Sequence, residues 1–460
     1  MKNYSNISAE RERPFADHRS PALRMTDFFA VALKRIRPMV VIVIFERPFR
    51  LANVRPYLLL LVLSSITLRA QQPVPANLNN FPSPSGVQLT AGNLKGPAEM
   101  PTGDHLLNIN QSPTAPRFLN IEKKWPDQPG DADVCLWADD KVAAWSIEID
   151  DNQSEDIEWW EAQSKAHGFI PLTWFVITSH VGAGGIGGTW DIFKRLQSEG
   201  YHLESHTVTH FFNLTPDWKG VDWDYSQAIQ DLDTNLPNHT THFLAYPGGA
   251  NPNPNDRDIA AKYYMAARGG LGTPVPANKI DYLNINGYHP VIGNPKASWA
   301  DPTNVLLENN PNKGAQIYYR GWTNMFWHGI NHKPGLAPFD PLSEATALAV
   351  LDWVTANKAD LWGDFFGNVA MYGEERDTAS LATTSSDASK ILFTLTSKMD
   401  PALYTFPLTV KVRLPDGWTG VSATQAGKAV DSSIIDHENA HFALVKAVPG
   451  AGDVTLVPGK

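Results

Sequence analysis

Val142-Ala143-Ala144-Trp145-Ser146-Ile147-Glu148-Ile149-Asp150-Asp151-Asn152 is the stretch at which the texture of the chain changes. Its apolar run has strand length and ends in two adjacent carboxylates. Beyond it, strands and helices alternate. A helix is expected over 155–167, with Ile157 and Trp160 among its apolar positions, then a buried strand over 171–178, a helix over 190–198 and a strand over 201–205. The pattern repeats with a helix over 225–236, a strand over 242–246 and a helix around 256–263. A strand at 324–328 and helices over 343–357 and 368–377 complete it. Strand–helix alternation of this length implies an α/β fold with a parallel sheet or barrel. No elements can be placed in the Pro- and Asn-rich region 270–320.

Beyond a Thr/Ser/Asp stretch at 379–390 only strand-like segments remain, at 391–396, 408–414, 421–425, 441–445 and 454–457. This is a small all-β, sandwich-like module. Upstream, residues 71–135 are rich in Pro, Asn, Gly and Ser and read as a linker or as extended chain draped on a domain. Further upstream, Arg55-Pro56-Tyr57 precedes the apolar run Leu58–Ile66 and Ala70 follows it, the pattern of a signal peptide too short to span a bilayer. Export to a secreted or periplasmic location is expected, with cleavage near Ala70 and no stable membrane partner afterwards. The signal lies some 50 residues in, which a translation start at Met25 or Met39 would explain. The expected division is 1–70 extension and signal peptide, 71–135 linker, 136–380 catalytic domain and 388–460 β module.

The chain has 460 residues, 43% hydrophobic and 19% charged, which is ordinary for a folded protein. Its net charge of −10 gives no general reason for a polyanion to bind, so nucleic acid is not an expected partner. The single cysteine, Cys135, excludes an internal disulfide framework and a multi-cysteine zinc site, and is expected to be buried. Oligomeric state is not readable.

The chemistry concentrates at two points. Asp150 and Asp151 stand where a parallel strand delivers side chains to the functional face; their plainer role, with Asn152 and Ser154, is to make the turn and cap the next helix. The stretch Tyr201–Ser205 runs into His206-Thr207-Val208-Thr209-His210, whose imidazoles stand four residues apart. With 14 histidines in the chain such a pair is weak by itself, and His202 with His206 makes another. Two imidazoles and one carboxylate form a three-ligand set suited to zinc, and a second carboxylate beside it suits a general base on water.

These motifs resemble those of the polysaccharide deacetylases of the NodB-homology type, carbohydrate esterase family 4. Glu148-Ile149-Asp150-Asp151-Asn152 is similar to the family's Thr-Phe-Asp-Asp-Gly motif, and His206–His210 to its His-Ser/Thr-x-x-His. Ala245-Tyr246-Pro247-Gly248-Gly249 resembles the third motif, Arg-x-Pro-Tyr/Trp followed by Gly, and Phe326-Trp327-His328 the late Leu-x-His. The resemblance runs from about residue 140 to 375 and implies a distorted (β/α) barrel that removes acetyl groups from a carbohydrate. It makes Asp150 the base, Asp151, His206 and His210 the ligands of a divalent metal (Zn2+, with Co2+, Mn2+ or Ni2+ as alternatives), and His328 the acid. The backbone N–H of Gly248 is left to stabilise the oxyanion, and Tyr246, Pro247, Arg268 and Trp327 are expected at the substrate. Ala245 replaces the motif arginine that orients the base, and Arg268 is the basic residue nominated in its place. The aspartate that orients the acid histidine has no clear counterpart; Asp281 and Asp301 are candidates. The expected substrate is an N-acetylated amino-sugar polymer or oligosaccharide such as chitooligosaccharide or peptidoglycan. The alternatives are O-acetylated xylan and a catalytically impaired carbohydrate-binding protein.

Overall fold

The continuous apolar run that opens the alternation forms strand β2, and all seven of its residues, Ala143–Ile149, are buried. Both faces of the strand are covered, which is why it lacks the alternation of a half-exposed strand. Trp145, Ile147 and Ile149 pack into one core with Trp160 and Phe193. Ala144 joins another with Phe175, Ala245 and Trp322, and Ser146 and Glu148 share its face of the strand.

The computed structural model describes residues 123–210, 218–249, 252, 254–272, 274–289, 305–306, 318–331 and 342–459, all within one unit, Asn77–Lys460. The expected signal segment at 55–70, the linker up to residue 122 and Asp301 lie outside the described residues. Among those described, no helix is long and apolar enough to cross a membrane.

In chain order the elements are β1 (Ala132–Val134), β2, α1 (Ile157–Ala166), β3 (Leu172–Val176), α2 (Trp190–Ser198), β4 (His202–Ser205), α3 (Val221–Asn235), β5 (Phe243–Ala245), α4 (Pro254–Tyr263), β6 (Ala266–Leu271), β7 (Ile285–Gly287) and β8 (Trp322–Trp327). The short pair β9 (Ile330–Asn331) and β10 (Leu342–Ser343) precedes α5 (Glu344–Ala356), β11 (Leu361–Gly363) and α6 (Phe366–Asp377). Strands β2 to β7 pair in parallel in sequence order, β8 lies parallel on the other edge of β2, and β11 pairs with the first residues of β2. Just past β7, the Tyr288 N–H donates to the Asn324 carbonyl at 2.8 Å and the Tyr288 carbonyl accepts from the Phe326 N–H at 3.2 Å. That bridge joins the two ends of the curled sheet, which is the distorted (β/α) barrel expected.

The C-terminal part adds β12 (Ser380–Ser386), β13 (Ile391–Thr396), β14 (Leu408–Arg413), β15 (Val421–Gln425), β16 (Lys428–Val430), β17 (Ser432–His437), β18 (Ala440–Ala447) and β19 (Val454–Pro458). They form two antiparallel sheets, in the orders β1-β14-β18-β17 and β12-β13-β19-β15-β16. Two strands come from outside the expected module. The chain at 132–134, read as linker, pairs with β14, and the Ser/Thr stretch 380–386, read as a break, pairs with β13. Helix α6 shares one core with both sheets through Phe366, Val369 and Tyr372. Cys135 is buried at this junction, and its carbonyl accepts from the Tyr372 hydroxyl.

Candidate active site

The catalytic candidates leave the carboxyl ends of neighbouring parallel strands. Asp150 and Asp151 follow β2, His206 follows β4, Pro247 and Gly248 follow β5, and His328 follows β8. The ladder continues one step past β2, where the Asp150 N–H donates to the Trp327 carbonyl at 2.8 Å. The chain then turns through left-handed positions at Asp151, Asn152 and Gln153 (φ 57°, 63° and 36°). Asn152 holds this turn. Its Oδ1 accepts from the Ile177 N–H at 2.7 Å, and its Nδ2 donates to the carbonyls of Ile177 and Gly187 at 3.2 and 2.9 Å.

Asp151 Oδ1 lies 3.4 Å from His206 Nε2 and 3.3 Å from His210 Nε2. The three ligand atoms lie within 4.8 Å of one another, and among the described residues no other such group is found. Metal–ligand bonds of about 2.0–2.1 Å in a tetrahedral site would set ligand atoms about 3.4 Å apart. The His206 ring is fixed by a 2.8 Å contact between Nδ1 and the Ala245 carbonyl, so Nδ1 carries the proton and Nε2 is turned to Asp151. Burial pulls the His206 imidazole down, but Asp150 and the hydrogen bond to Asp151 outweigh it and raise it above its usual value. Burial and the neighbouring His206 lower His210 to about 4. Burial works against ionised Asp151, yet His206, His210 and His328 hold its carboxyl well below the usual range.

On the other side of Asp151 stand the proposed base and acid. His328 Nε2 is 3.7 Å from Asp151 Oδ2 and 4.0 Å from Asp150 Oδ2. Asp150 is buried, and its Oδ2 accepts from Arg268 Nη2 at 2.5 Å. Arg268 Nε is also paired with Glu148 Oε2 at 3.2 Å. Burial raises the Glu148 carboxyl to about 8 despite that arginine. Arg268 is thus paired with two acidic side chains, Glu148 and Asp150, while Asp151 faces His206, His210 and His328. The donor set and its charge fit a divalent metal.

Several expected substrate contacts lie elsewhere. Tyr246 is 3% exposed and packs in a core with Tyr225 and Tyr264 because β5 turns it inward. Trp327 is fully buried and stacked on Trp160, with ring centroids 4.8 Å apart. Pro247 is buried, whereas Gly248 is exposed at φ 73°, a conformation that an aromatic residue would hold only under strain. Arg268 is fully buried on Asp150 and so is placed at the base rather than on a substrate-facing surface. Asp281 is held by Arg257 through both carboxylate oxygens, which removes it as the partner of His328. The ring beside His328 is His289, with centroids 5.4 Å apart; burial and His328 lower its imidazole to about 3.

Sequence reasoning also passed over Asp224, in the first turn of α3. Its Oδ1 accepts from the N–H groups of Val208 and Thr209 at 2.8 and 3.0 Å, and its Oδ2 from Thr209 Oγ1 and Trp218 Nε1 at 2.7 and 3.0 Å. An acidic residue near a helix start looks like simple dipole complementation, so nothing local marked it.

The barrel thus brings two aspartates, two histidines of a His-x-x-x-His stretch and a late histidine together at one strand end, a candidate three-ligand donor set with an acid–base pair beside it. Residues 146–267 match the family model described as Polysaccharide deacetylase. A curated relative from a Bacillus species, named Gellan lyase, is 34% identical over 374 residues. That match covers 78% of this chain, which spans only 14% of the relative's length. Similar solved structures include the polysaccharide deacetylase BC0361 from Bacillus cereus, 19% identical, covering 30% of this chain and 44% of that one at a TM-score of 0.25. The Streptococcus pyogenes deacetylase PplD in complex with acetate is 24% identical, covering 30% and 61% at a TM-score of 0.26.

Proposed function

We propose that the protein is an exported, divalent-metal-dependent hydrolase that removes acetyl groups from a polysaccharide, with an N-acetylated amino sugar as the preferred substrate. The observation that carries this reading is the placement of Asp151 Oδ1 at 3.4 and 3.3 Å from the two histidine Nε2 atoms, with Asp150 and His328 beside it. A divalent cation held by Asp151, His206 and His210, zinc being the ion best suited to that set, supplies Lewis acidity and makes nearby water more acidic. Asp150, oriented by Arg268, accepts the proton of the attacking water as the water oxygen bonds to the acetyl carbonyl carbon. The Gly248 N–H, on the loop leaving β5, is the backbone donor assigned to the oxyanion. His328 gives its proton to the nitrogen as the C–N bond breaks, and acetate and a free amine leave.

An ester leaving group needs that proton less, so the same residues serve O-acetyl groups. The experiment is acetate release measured across chitooligosaccharides, peptidoglycan, acetylated xylan and gellan, with the bound metal identified in the same sample. Release from the N-acetylated sugars supports the reading, and release from xylan alone moves it to an esterase. The relative's name favours one further reading, cleavage of gellan by elimination. Unsaturated, ultraviolet-absorbing ends formed without acetate would establish that reading instead.

A further inference from the structure

We propose that Glu148 is a positioning residue for the base: it fixes Arg268 from inside the barrel so that the guanidinium presents Nη2 to Asp150, a role that rests on the deacetylase reading. β5 carries Ala245 where the family motif has arginine, and the register partner of Ala245 across the ladder is Arg268 on β6. The guanidinium thus enters at the same level from the next strand, and coming from there it needs a different hold. Glu148 Oε2 stands 3.2 Å from Nε as a charge partner, while Phe326 and Phe175 flank the guanidinium carbon at 4.1 and 5.5 Å from their ring centroids. Nη2 is left for Asp150 Oδ2.

Glu148 is held in turn. Its Oε1 accepts from Ser146 Oγ at 3.0 Å, and that oxygen accepts from Trp322 Nε1 at 2.9 Å. Ser146, Glu148, Arg268 and Trp322 are all fully buried. A second acidic side chain on Arg268 in this dry interior is poorly explained by stability, because a buried polar pair is often replaceable by apolar residues of similar volume. Orientation explains it. With Glu148 beside Nε and the two phenylalanine rings beside its face, the planar fork is held in one setting, and a misplaced catalytic group can lower a rate about a hundredfold.

The test uses Glu148→Leu, which keeps volume, and Glu148→Gln, which keeps a polar oxygen beside Nε. Glu148→Leu should lower kcat roughly 10- to 100-fold with KM and zinc affinity unchanged, and Glu148→Gln should restore most of it. In an Arg268→Met background, Glu148→Leu should add no further loss. An unchanged kcat, or an equal fold loss in both backgrounds, overturns the proposal. Crystal structures decide independently of turnover: Arg268 displaced from Asp150 in Glu148→Leu supports it, and Arg268 unmoved overturns it. Should that variant fail to fold, Ser146→Ala frees Oε1 and should lower kcat in the same direction, while no loss overturns the proposal. A wild-type protein that releases no acetate refutes the deacetylase reading instead, leaving the crystallographic comparison to judge Glu148.

Discussion

Asn152 stands where the related motif has glycine, and its backbone shows why both residues serve. At φ 63°, between two other left-handed residues, the position excludes most side chains, and asparagine is among the few that tolerate it. Asparagine adds what glycine lacks, three buried hydrogen bonds to the Ile177 and Gly187 backbone that tie the aspartate turn to the end of β3. Asn152→Ala should therefore destabilise the protein by about 2–4 kcal/mol, combining lost hydrogen bonds with left-handed strain. Chemical denaturation measures this, and a change below about 0.5 kcal/mol would contradict it. At this scale the sequence was most informative: Asp150, Asp151, His206 and His210 carry their chemistry in adjacent or closely spaced residues. Arg268 was nominated from its residue type alone, and what places it opposite Ala245 is a strand register that no local pattern records.

Among the elements, β4 and α3 together make the histidine loop. β4 delivers His206 into the Ala245 carbonyl, and α3 supplies Asp224, which accepts from two backbone N–H groups between the imidazoles and from the side chains of Thr209 and Trp218. Asp224→Asn exchanges an acceptor for a donor that faces N–H groups. Zinc affinity should fall about 10- to 100-fold, the range found when the groups supporting metal ligands are altered. Calorimetric titration with zinc checks this, and an unchanged Kd would contradict it. The elements missed in the sequence share physical causes. β6 is Ala-Ala-Arg-Gly-Gly-Leu, whose small residues hide the period. A Cβ at Gly269 would lie 1.7 Å from Asn284 Oδ1, so any larger residue there would displace the Asn284 side chain. β12 is an exposed edge strand of Ser and Thr, with the composition of a loop.

For the molecule as a whole, the barrel and the β module are joined through α6, every residue of which from Phe366 to Glu375 is buried. A helix covered all round lacks the polar face that would mark its orientation in the sequence, so the shared core was not legible there. Two acidic residues lie in it. Burial raises the carboxyls of Glu374 and Glu375 well above their usual value, against hydrogen bonds from Tyr404 and from the Phe406 backbone. The folded state therefore holds these protons more tightly than the unfolded chain. Their contribution to stability is full below about pH 4.5 and is lost as pH rises through the folded-state values. Glu374→Gln should flatten that alkaline loss, seen as a smaller fall of Tm with rising pH than in the wild type. An identical slope in the two proteins would contradict it.

The central claim is that Asp151, His206 and His210 hold the ion that the reaction needs. Its most direct test is acetate release from an N-acetylated oligosaccharide by wild-type protein, by chelator-stripped protein and by Asp151→Ala, with metal content measured in each. The expected result is one ion per wild-type chain, release abolished by stripping and restored by zinc, and neither ion nor activity in Asp151→Ala. Undiminished release from protein shown to be metal-free would contradict it.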